Sequence, residues 1–351
     1  MRSQHSTSVH QDWQTNRRIF LKTSVASLIN MTMGSYLSKA WAESRPNTCR
    51  FGIVTDPHYT NRIYGTRYCD QSLDKMAECV ELMNKQAVDF LVELGDFKDQ
   101  DDPPDERTTL SYLQAIEAEF QQFNGPIYHV IGNHDLDSIS KSQFHTNVEN
   151  TDIAPELSYY SFDFNGLHFV ILDANYTSAG IDYDHGNFDW TDALIPTFEL
   201  AWLEQDLASA EGPVIILTHQ LLDGTGSHYI KNAADVRRIL EFSGKVMAVF
   251  QGHYHTGSYN EMQGIHYYTL KAMVEGSGAR NSAYAIVEVH ADRSITVSAY
   301  RQAVRQEFPA RCSIADLNGD CIVDFKDYAI LAENWLDKGF VAPPPKGRPP
   351  R

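Results

Sequence analysis

Several features that would assign a function class are missing from this 351-residue chain. Basic residues are few: 29 Lys and Arg stand against 46 Asp and Glu, which gives a formal net charge of −17. That deficit argues against nucleic acid or an anionic membrane surface as the main partner. The chain has no apolar run of about 18 residues or more, so we expect no membrane span. The remaining composition, 42% hydrophobic and 21% charged, is ordinary for a soluble globular protein.

Cysteine is also scarce, and its five positions show no C-x-x-C spacing, which argues against a thiolate zinc site. In an oxidising compartment disulfides are allowed. Cys312 and Cys321 are the first choice of pair, because they flank a short loop. The odd count leaves at least one thiol unpaired within the chain, and the other three cysteines are Cys49, Cys69 and Cys79. The sequence alone leaves the pairing open.

Residues 1–42 resemble an export signal. Arg17 and Arg18 precede Ile-Phe-Leu-Lys, which is similar to the twin-arginine consensus. A weakly apolar stretch follows at 23–37, and residues 40–42 (Ala-Trp-Ala) fit a cleavage site. The alternative is a chance arginine pair before an ordinary helix. We expect the protein to be exported, to the periplasm or the extracellular space.

The central region alternates apolar runs with helical patterns. Apolar runs predict strands at 51–54, 90–94, 127–131, 159–164, 167–173, 214–218, 246–250, 265–270, 283–289 and 294–299. Helical spacing predicts helices at 71–86, 110–123, 198–207 and 235–242. Asn165-Gly166, between two of the strands, indicates a tight hairpin. The order predicts a βαβ core followed by a sheet with more hairpins.

Polar segments follow five of the predicted strands. They are Asp56-Pro57-His58, Gly95-Asp96, Gly132-Asn133-His134-Asp135, Thr218-His219 and Gly252-His253-Tyr254-His255. In open α/β sheets, ligands collect just beyond the carboxyl ends of strands. Carboxylates, imidazoles and one amide oxygen suit Zn, Mn or Fe, and the glycines leave space beside them. One such segment alone is usually structural, but five in this order predict a metal centre.

These segments resemble those of the calcineurin-like metallophosphoesterase superfamily over roughly residues 50–300. The resemblance implies an α/β fold, the α/β/β/α sandwich, with two metal ions. It implies one ion held by Asp56, His58, Asp96 and His255, and the other held by Asp96, Asn133, His219 and His253. It also places His134 beside the leaving-group oxygen, with Asp135 as its supporting neighbour. The expected reaction is attack of a metal-bridging hydroxide on a phosphodiester or diphosphate bond, assisted by His134.

The branch of the superfamily is indicated by smaller signals. Purple acid phosphatases have a Tyr where this chain has Asp99, so an iron–tyrosinate centre is not expected. The segments 252–259, 264–266 and 274–276 are similar to those of manganese-dependent ADP-ribose/CDP-alcohol diphosphatases. That similarity implies a small phosphorylated substrate, such as a nucleotide diphosphate derivative. A phosphomonoesterase on the same site and a non-catalytic surface or scaffold protein are the alternatives.

Four further polar residues lie in loops that could line the substrate pocket, and a role as solvated loop residues is equally open for them. They are His185, His228, Tyr229 and Asn232.

The tail carries a second motif. Residues 316–327 have the spacing of a calcium loop, with ligand positions Asp316, Asn318, Asp320, Ile322 (through its carbonyl), Asp324 and Asp327. Two departures are Cys321 at the position that normally holds Gly, and Asp327 where Glu is usual. The segment resembles a single dockerin-type repeat, which could attach the protein to a surface partner; an acidic solvated turn is the alternative. We therefore divide the chain into an export signal (1–42), a phosphoesterase domain (43–308), a calcium-binding, EF-hand-like repeat (309–340) and a flexible Pro-rich tail (341–351).

Overall fold

The computed structural model describes residues 49–310, Leu317 and residues 325–334. The predicted export signal, the Cys312–Cys321 pair, most of the calcium loop and the Pro-rich tail lie outside these residues. Within them, no helix is long and apolar enough to cross a bilayer. The described cysteines, Cys49, Cys69 and Cys79, are buried free thiols.

In the described part of the chain, fourteen strands form two six-stranded sheets and a small hairpin. The strands are β1 (Cys49–Val54), β2 (Ile63–Tyr64), β3 (Arg67–Tyr68), β4 (Phe90–Glu93), β5 (Ile127–His129), β6 (Tyr160–Phe164), β7 (Leu167–Ile171), β8 (Val214–Thr218), β9 (Val246–Gln251), β10 (Ser258–Met262), β11 (Ile265–Thr269), β12 (Ala283–Val289), β13 (Ile295–Arg301) and β14 (Gln306–Phe308). The first sheet has the order β14-β13-β12-β1-β4-β5, and the second has β10-β11-β9-β8-β7-β6.

The helices are α1 (Ser72–Gln86), α2 (Glu106–Phe120), α3 (Lys141–His145), α4 (Thr197–Ser209), α5 (Ala233–Ser243) and α6 (Phe325–Asn334). Apolar side chains of both sheets, among them Phe51 and Phe250, form one core between the sheets. A second core includes Met83 of α1 and Phe120 of α2 against the outer face of the first sheet. A third joins α4 and α5 to the second sheet. This is an α/β/β/α sandwich, so the predicted fold class is confirmed.

The parallel parts of the sheets position the functional residues. β1, β4 and β5 are parallel neighbours in the first sheet, and β7, β8 and β9 are parallel neighbours in the second. The carboxyl ends of neighbouring parallel strands meet at one edge, so the loops after them are brought together. Four of the five polar segments begin at the last residue of a strand or within two residues after it, at β1, β4, β8 and β9, and the fifth begins three residues after β5.

Most predicted elements are present, with shifted ends. The Asn165-Gly166 hairpin is confirmed: both residues have positive φ, 49° and 79°, as a tight two-residue turn requires. The helix predicted at 110–123 runs instead from Glu106 to Phe120, because the Asp105 side chain accepts a hydrogen bond from the Thr108 amide and caps an earlier start. Sequence patterns missed β2, β3, β10 and β14, which are short or lack an apolar face.

Candidate metal centre

Seven side chains from both sheets converge at the carboxyl edge. The first sheet supplies Asp56 and His58 after β1, Asp96 after β4 and Asn133 after β5, and the second supplies His219 after β8 and His253 and His255 after β9. All except His255 are buried. The structure thus brings together the six Asp and His residues that the sequence assigned to the two metals, and it buries Asn133 in the loop that contacts Asp96.

Two groups of ligand atoms can be distinguished. The first cluster is Asp56, His58 and His255, and the second cluster is Asp96, His219 and His253; within each, the ligand atoms lie within 4.8 Å of one another. Asp96 lies between them, since its Oδ2 is 3.1 Å from His219 Nε2 and 3.6 Å from His58 Nε2. One carboxylate therefore faces both clusters.

The backbone at this edge adopts conformations that non-glycine residues rarely take. Asp56, His58, Asp96 and His253 have positive φ angles of 51°, 46°, 57° and 64°. Such a conformation costs of order 1–3 kcal/mol and persists only where the surroundings hold it, most often at functional sites. Here the loops hold each other, because the Asp56 amide donates to the Gly95 carbonyl at 3.0 Å and the His58 amide to the Asp96 carbonyl at 2.9 Å.

A close approach of the backbone explains one of the glycines. A Cβ on Gly132 would lie 2.1 Å from the Asp96 amide nitrogen and 2.4 Å from Asp96 Oδ1. Any side chain there would push apart the loops that carry Asp96 and Asn133.

Several buried polar atoms at the centre lack hydrogen-bond partners among the described residues. Asp56 Oδ1, Asn133 Oδ1 and His253 Nε2 are examples. Buried polar atoms are rarely left unpaired, because each costs about 1–3 kcal/mol. Carboxylate oxygen, amide oxygen and imidazole nitrogen are the donors that Mn, Zn and Fe accept. The residues therefore fit a pair of such cations.

The charges match this chemistry. Burial would raise the pKa of Asp56, but the His255 and His58 rings, whose Nε2 atoms lie 3.4 Å and 3.6 Å from its Oδ1, hold that pKa well below its usual range. Burial also opposes ionisation of Asp96, yet its pKa is lowered by the charge of His219 and His134. Burial, together with His219, lowers the pKa of His253 well below its usual value. Two carboxylates stay ionised and the His253 imidazole stays neutral, as ligands must. Burial opposes protonation of His219 and His255 as well, but Asp96 raises the pKa of His219 to about 9, and Asp56 and Glu275 raise the pKa of His255. These two rings must therefore release a proton when a cation binds.

Asp135 has a different place from the one predicted. Its carboxylate accepts four backbone hydrogen bonds, from Asp96 (3.0 Å), Phe97 (2.9 Å), Lys98 (3.2 Å) and Gly132 (2.8 Å). It therefore ties the loop after β4 to the loop after β5 and positions Asp96. The prediction that Asp135 supports the His134 ring is wrong, because the Asp135 carboxylate points toward these four backbone amides instead.

The His134 ring has other partners. Its Nδ1 lies 2.8 Å from Asp137 Oδ2 and 3.2 Å from Asp99 Oδ1. The side chain is 29% exposed. Burial opposes protonation, but the charges of Asp137 and Asp99 raise the pKa of His134 well above its usual value. Sequence reasoning missed both aspartates; their signal was the spacing of three residues, from Asp96 to Asp99 and from His134 to Asp137.

Glu275 is a further residue whose role the sequence analysis missed. Its Oε1 lies 2.7 Å from His255 Nδ1, which leaves His255 Nε2 facing Asp56 Oδ1 at 3.4 Å. A carboxylate behind an imidazole fixes its tautomer and orientation. The signal was the similarity of segment 274–276 to one branch of the superfamily, but that similarity does not reveal what the side chain touches.

Of the four loop residues whose role was open, His228 lies over the centre, with its ring centroid 5.4 Å from that of His253. His185 pairs at the surface with Asp184. The Asn232 side chain donates to the Ile195 carbonyl at 2.7 Å. The Tyr229 ring packs beside Gly224.

Comparison with known proteins agrees with this geometry. Residues 49–257 match the family model for calcineurin-like phosphoesterases. The chain belongs to this family. It is similar to the manganese-dependent ADP-ribose/CDP-alcohol diphosphatases of Oryza sativa subsp. japonica (26% identity, covering 75% of this chain and 94% of that protein) and Arabidopsis thaliana (24% identity, covering 64% and 86%). A dimetal phosphatase from Danio rerio has the same fold, with a TM-score of 0.65, 18% identity and coverage of 76% of this chain and 100% of that chain.

Membership in the family confirms the resemblance on which the sequence analysis relied. The chain is a metal-dependent phosphoester hydrolase of the calcineurin-like type. Its His and Asp clusters are the candidates for holding divalent ions.

Proposed function

We propose that this enzyme hydrolyses phosphodiester or diphosphate bonds with two metal ions of the Mn, Zn or Fe type. The observation that carries the proposal is the place of Asp96, whose carboxylate faces His58 of the first cluster and His219 of the second. Asp56, His58, Asp96 and His255 would hold one ion, and Asp96, Asn133, His219 and His253 the other. When bound, the two cations supply an activated water and neutralise charge on the phosphoryl oxygens.

The donor set leaves room for an anionic substrate. Two carboxylates, Asp56 and Asp96, stand against two cations, and Asn133 and the imidazoles add no negative charge. The site therefore keeps a net positive charge although the whole chain carries −17. The four hydrogen bonds to Asp135 and the linked loops hold Asp96 in place, so little reorganisation is needed as the substrate binds.

His134 is the residue we assign to the leaving group. Asp137 and Asp99 hold its Nδ1, which keeps the ring oriented and leaves Nε2 for the departing oxygen. The partial exposure of the ring lets a substrate reach it. Proton donation or hydrogen bonding of this kind contributes about 10²–10⁴-fold to rate.

A preference for diphosphate and diester bonds is supported by the named relatives. Two are ADP-ribose/CDP-alcohol diphosphatases, and a third, from Fibrobacter succinogenes, is a probable cyclic nucleotide phosphodiesterase that is 23% identical. A nucleotide diphosphate derivative is therefore the substrate class we favour. A phosphomonoesterase on the same site is the second candidate.

A substrate panel tests the choice. We would compare 4-nitrophenyl phosphate, bis(4-nitrophenyl) phosphate and ADP-ribose with protein loaded with Mn, Zn or Fe. The proposal expects higher kcat/KM for ADP-ribose and the diester than for the monoester. Equal or better turnover of the monoester would reject the preference and leave the hydrolase assignment intact. Metal analysis of the purified protein would identify the native ions.

For the tail, we retain the proposal of a calcium-binding repeat that serves attachment to a surface partner. Five of its six predicted ligands lie outside the described residues. Asp327 is the third residue of α6, is buried, and accepts a hydrogen bond from the Leu317 amide at 2.6 Å. Extracellular calcium modules bind at about 10⁻⁴–10⁻³ M. Calorimetry that detects no calcium uptake at such concentrations would reject the proposal.

Export through residues 1–42 is likewise proposed, and the resemblance to a twin-arginine signal supports it. Replacing Arg17 and Arg18 by Lys should retain the protein inside the cell. Fractionation that finds the double variant outside, as it finds the wild type, would contradict this.

A further inference from the structure

Trp190 and His228 pack beside the buried His253 ring, and Tyr254 packs beside His228. The Trp190 ring centroid lies 5.6 Å from that of His253 and 5.2 Å from that of His228. The His228 centroid lies 5.4 Å from that of His253 and 5.1 Å from that of Tyr254. Three separate segments supply them: the loop before α4, the loop after β8 and the turn after β9. We call Trp190, His228 and Tyr254 the aromatic rim.

The aromatic rim is open to solvent. Trp190 is 42% exposed and Tyr254 is 38% exposed. Neither belongs to the hydrophobic cores formed by the described residues. Burying a Trp side chain normally stabilises a protein, so an exposed one beside a functional centre gains nothing for the fold. The rim is therefore a surface available to a ligand.

The rings of the aromatic rim favour one class of ligand. Indole, imidazole and phenol rings bind planar rings by stacking, and the nucleobases all offer such a face. The Trp190 ring adjoins His253, which we assign as a ligand of the metal pair. A molecule that reaches both must carry a planar group joined to its phosphate by a short linker, as a nucleotide does.

We propose that the aromatic rim is a nucleobase subsite, in which Trp190 and Tyr254 stack on the base of a substrate whose phosphate lies at the metal centre. This deepens the proposed function and rests on it. The rim determines specificity between substrates with and without a base, and it takes no part in bond cleavage. The acidic surface of the protein does not oppose binding, because a nucleobase is uncharged.

The kinetic test compares two substrates in variants of the rim. Trp190→Ala and Tyr254→Ala should each lower kcat/KM for ADP-ribose by about tenfold, the usual effect of removing one stacking ring. For glycerophosphoglycerol, a phosphodiester with neither a base nor a cationic head group that could bind an aromatic face, kcat/KM should change less than about twofold. Trp190→Phe keeps an aromatic ring, so its kcat/KM for ADP-ribose should be close to that of the wild type. Phe242→Ala is the matched control, since Phe242 is 93% exposed on α5 near the opposite, amino-terminal edge of β9.

The binding test does not depend on turnover. AMP should quench tryptophan fluorescence, and ribose 5-phosphate, which lacks the base, should not. The AMP quench should disappear in Trp190→Phe, weaken about tenfold in apparent affinity in Tyr254→Ala, and stay unchanged in Phe242→Ala.

The outcomes separate this proposal from the proposed function. If no phosphate ester is turned over but AMP quenching depends on Trp190 and Tyr254, the proposed function fails and the subsite stands. Equal losses with both substrates would show a merely structural role and overturn the subsite. Quenching by AMP that persists in Trp190→Phe, or is absent in the wild type, would also overturn it.

Discussion

The two sheets contribute differently to the centre. The first sheet supplies both carboxylates and Asn133, and its loops are tied by the four backbone hydrogen bonds to Asp135. The second sheet supplies His219, His253 and His255, and its loops carry the exposed aromatic rim. The carboxylate ligands come only from the first sheet, which also supplies the neutral donor His58, whereas the second sheet supplies only imidazoles together with an open aromatic surface. The comparison teaches that both sheets would hold the metals, whereas the residues proposed to choose the substrate all lie on loops of the second sheet.

Asp96 is the point where the two sides meet, so changing it should have the largest effect. Asp96→Asn removes the charge that faces both clusters, and we expect metal content and activity to fall together. The loss should exceed the roughly 10–100-fold typical of residues that only support a ligand. Elemental analysis and phosphodiester hydrolysis on the same sample measure it. Normal turnover by Asp96→Asn protein of verified metal content would show that Asp96 does not join the contributions of the two sheets.

His134→Ala should separate chemistry from metal holding on the first-sheet side. We expect both ions to stay bound and kcat to fall by about 10²–10⁴-fold, because the leaving group loses its proton donor. The loss should be largest for substrates with poor leaving groups. A variant that also loses metal would show that His134 is a ligand and that our division of roles is wrong.

Glu275 tests the support of an imidazole on the second-sheet side. Glu275→Ala should weaken metal affinity by about 10–100-fold, because His255 loses the partner that orients it. Glu275→Gln keeps an acceptor and should lie between the wild type and Ala. Glu288→Ala is the control. It removes the same charge from β12, where Glu288 pairs with Arg50 at 4.0 Å. Metal competition with a chromophoric chelator measures the affinity. Equal affinities for Glu275→Ala and Glu288→Ala would show that Glu275 does not support metal binding.

The tail should contribute least. Truncation after Phe308 keeps β14, whose Phe308 ring stacks on His266 at 4.7 Å, and should change kcat/KM less than about twofold. The same truncation should abolish the proposed calcium uptake, which calorimetry measures. Collapse of activity would show that residues beyond 308 belong to the catalytic fold.

The sequence predicted the fold and the metal-facing residues because both leave periodic or ordered marks. Buried strands such as β8 and β12 consist mainly of apolar residues, and their bounds were predicted without error. The polar segments follow the strands in an order that one fold explains. Strand β10, whose middle residues are exposed, has no such pattern and was missed.

Side-chain contacts across the chain could not be predicted in the same way. Asp135 and Asp137 are both acidic and two residues apart, yet one turns to the backbone amides and the other to His134. Only the local backbone path decides between them. The meeting of Trp190 with His253 joins segments 63 residues apart, and no spacing rule indicates it.

A metal titration tests the central claim, that the two sheets together hold a pair of catalytic cations. The purified protein would be stripped with a chelator and titrated with Mn²⁺ while bis(4-nitrophenyl) phosphate hydrolysis is followed. We expect no activity without metal and a rise that reaches its plateau at two equivalents per chain. A plateau at one equivalent, or full activity in the stripped protein, would contradict the account.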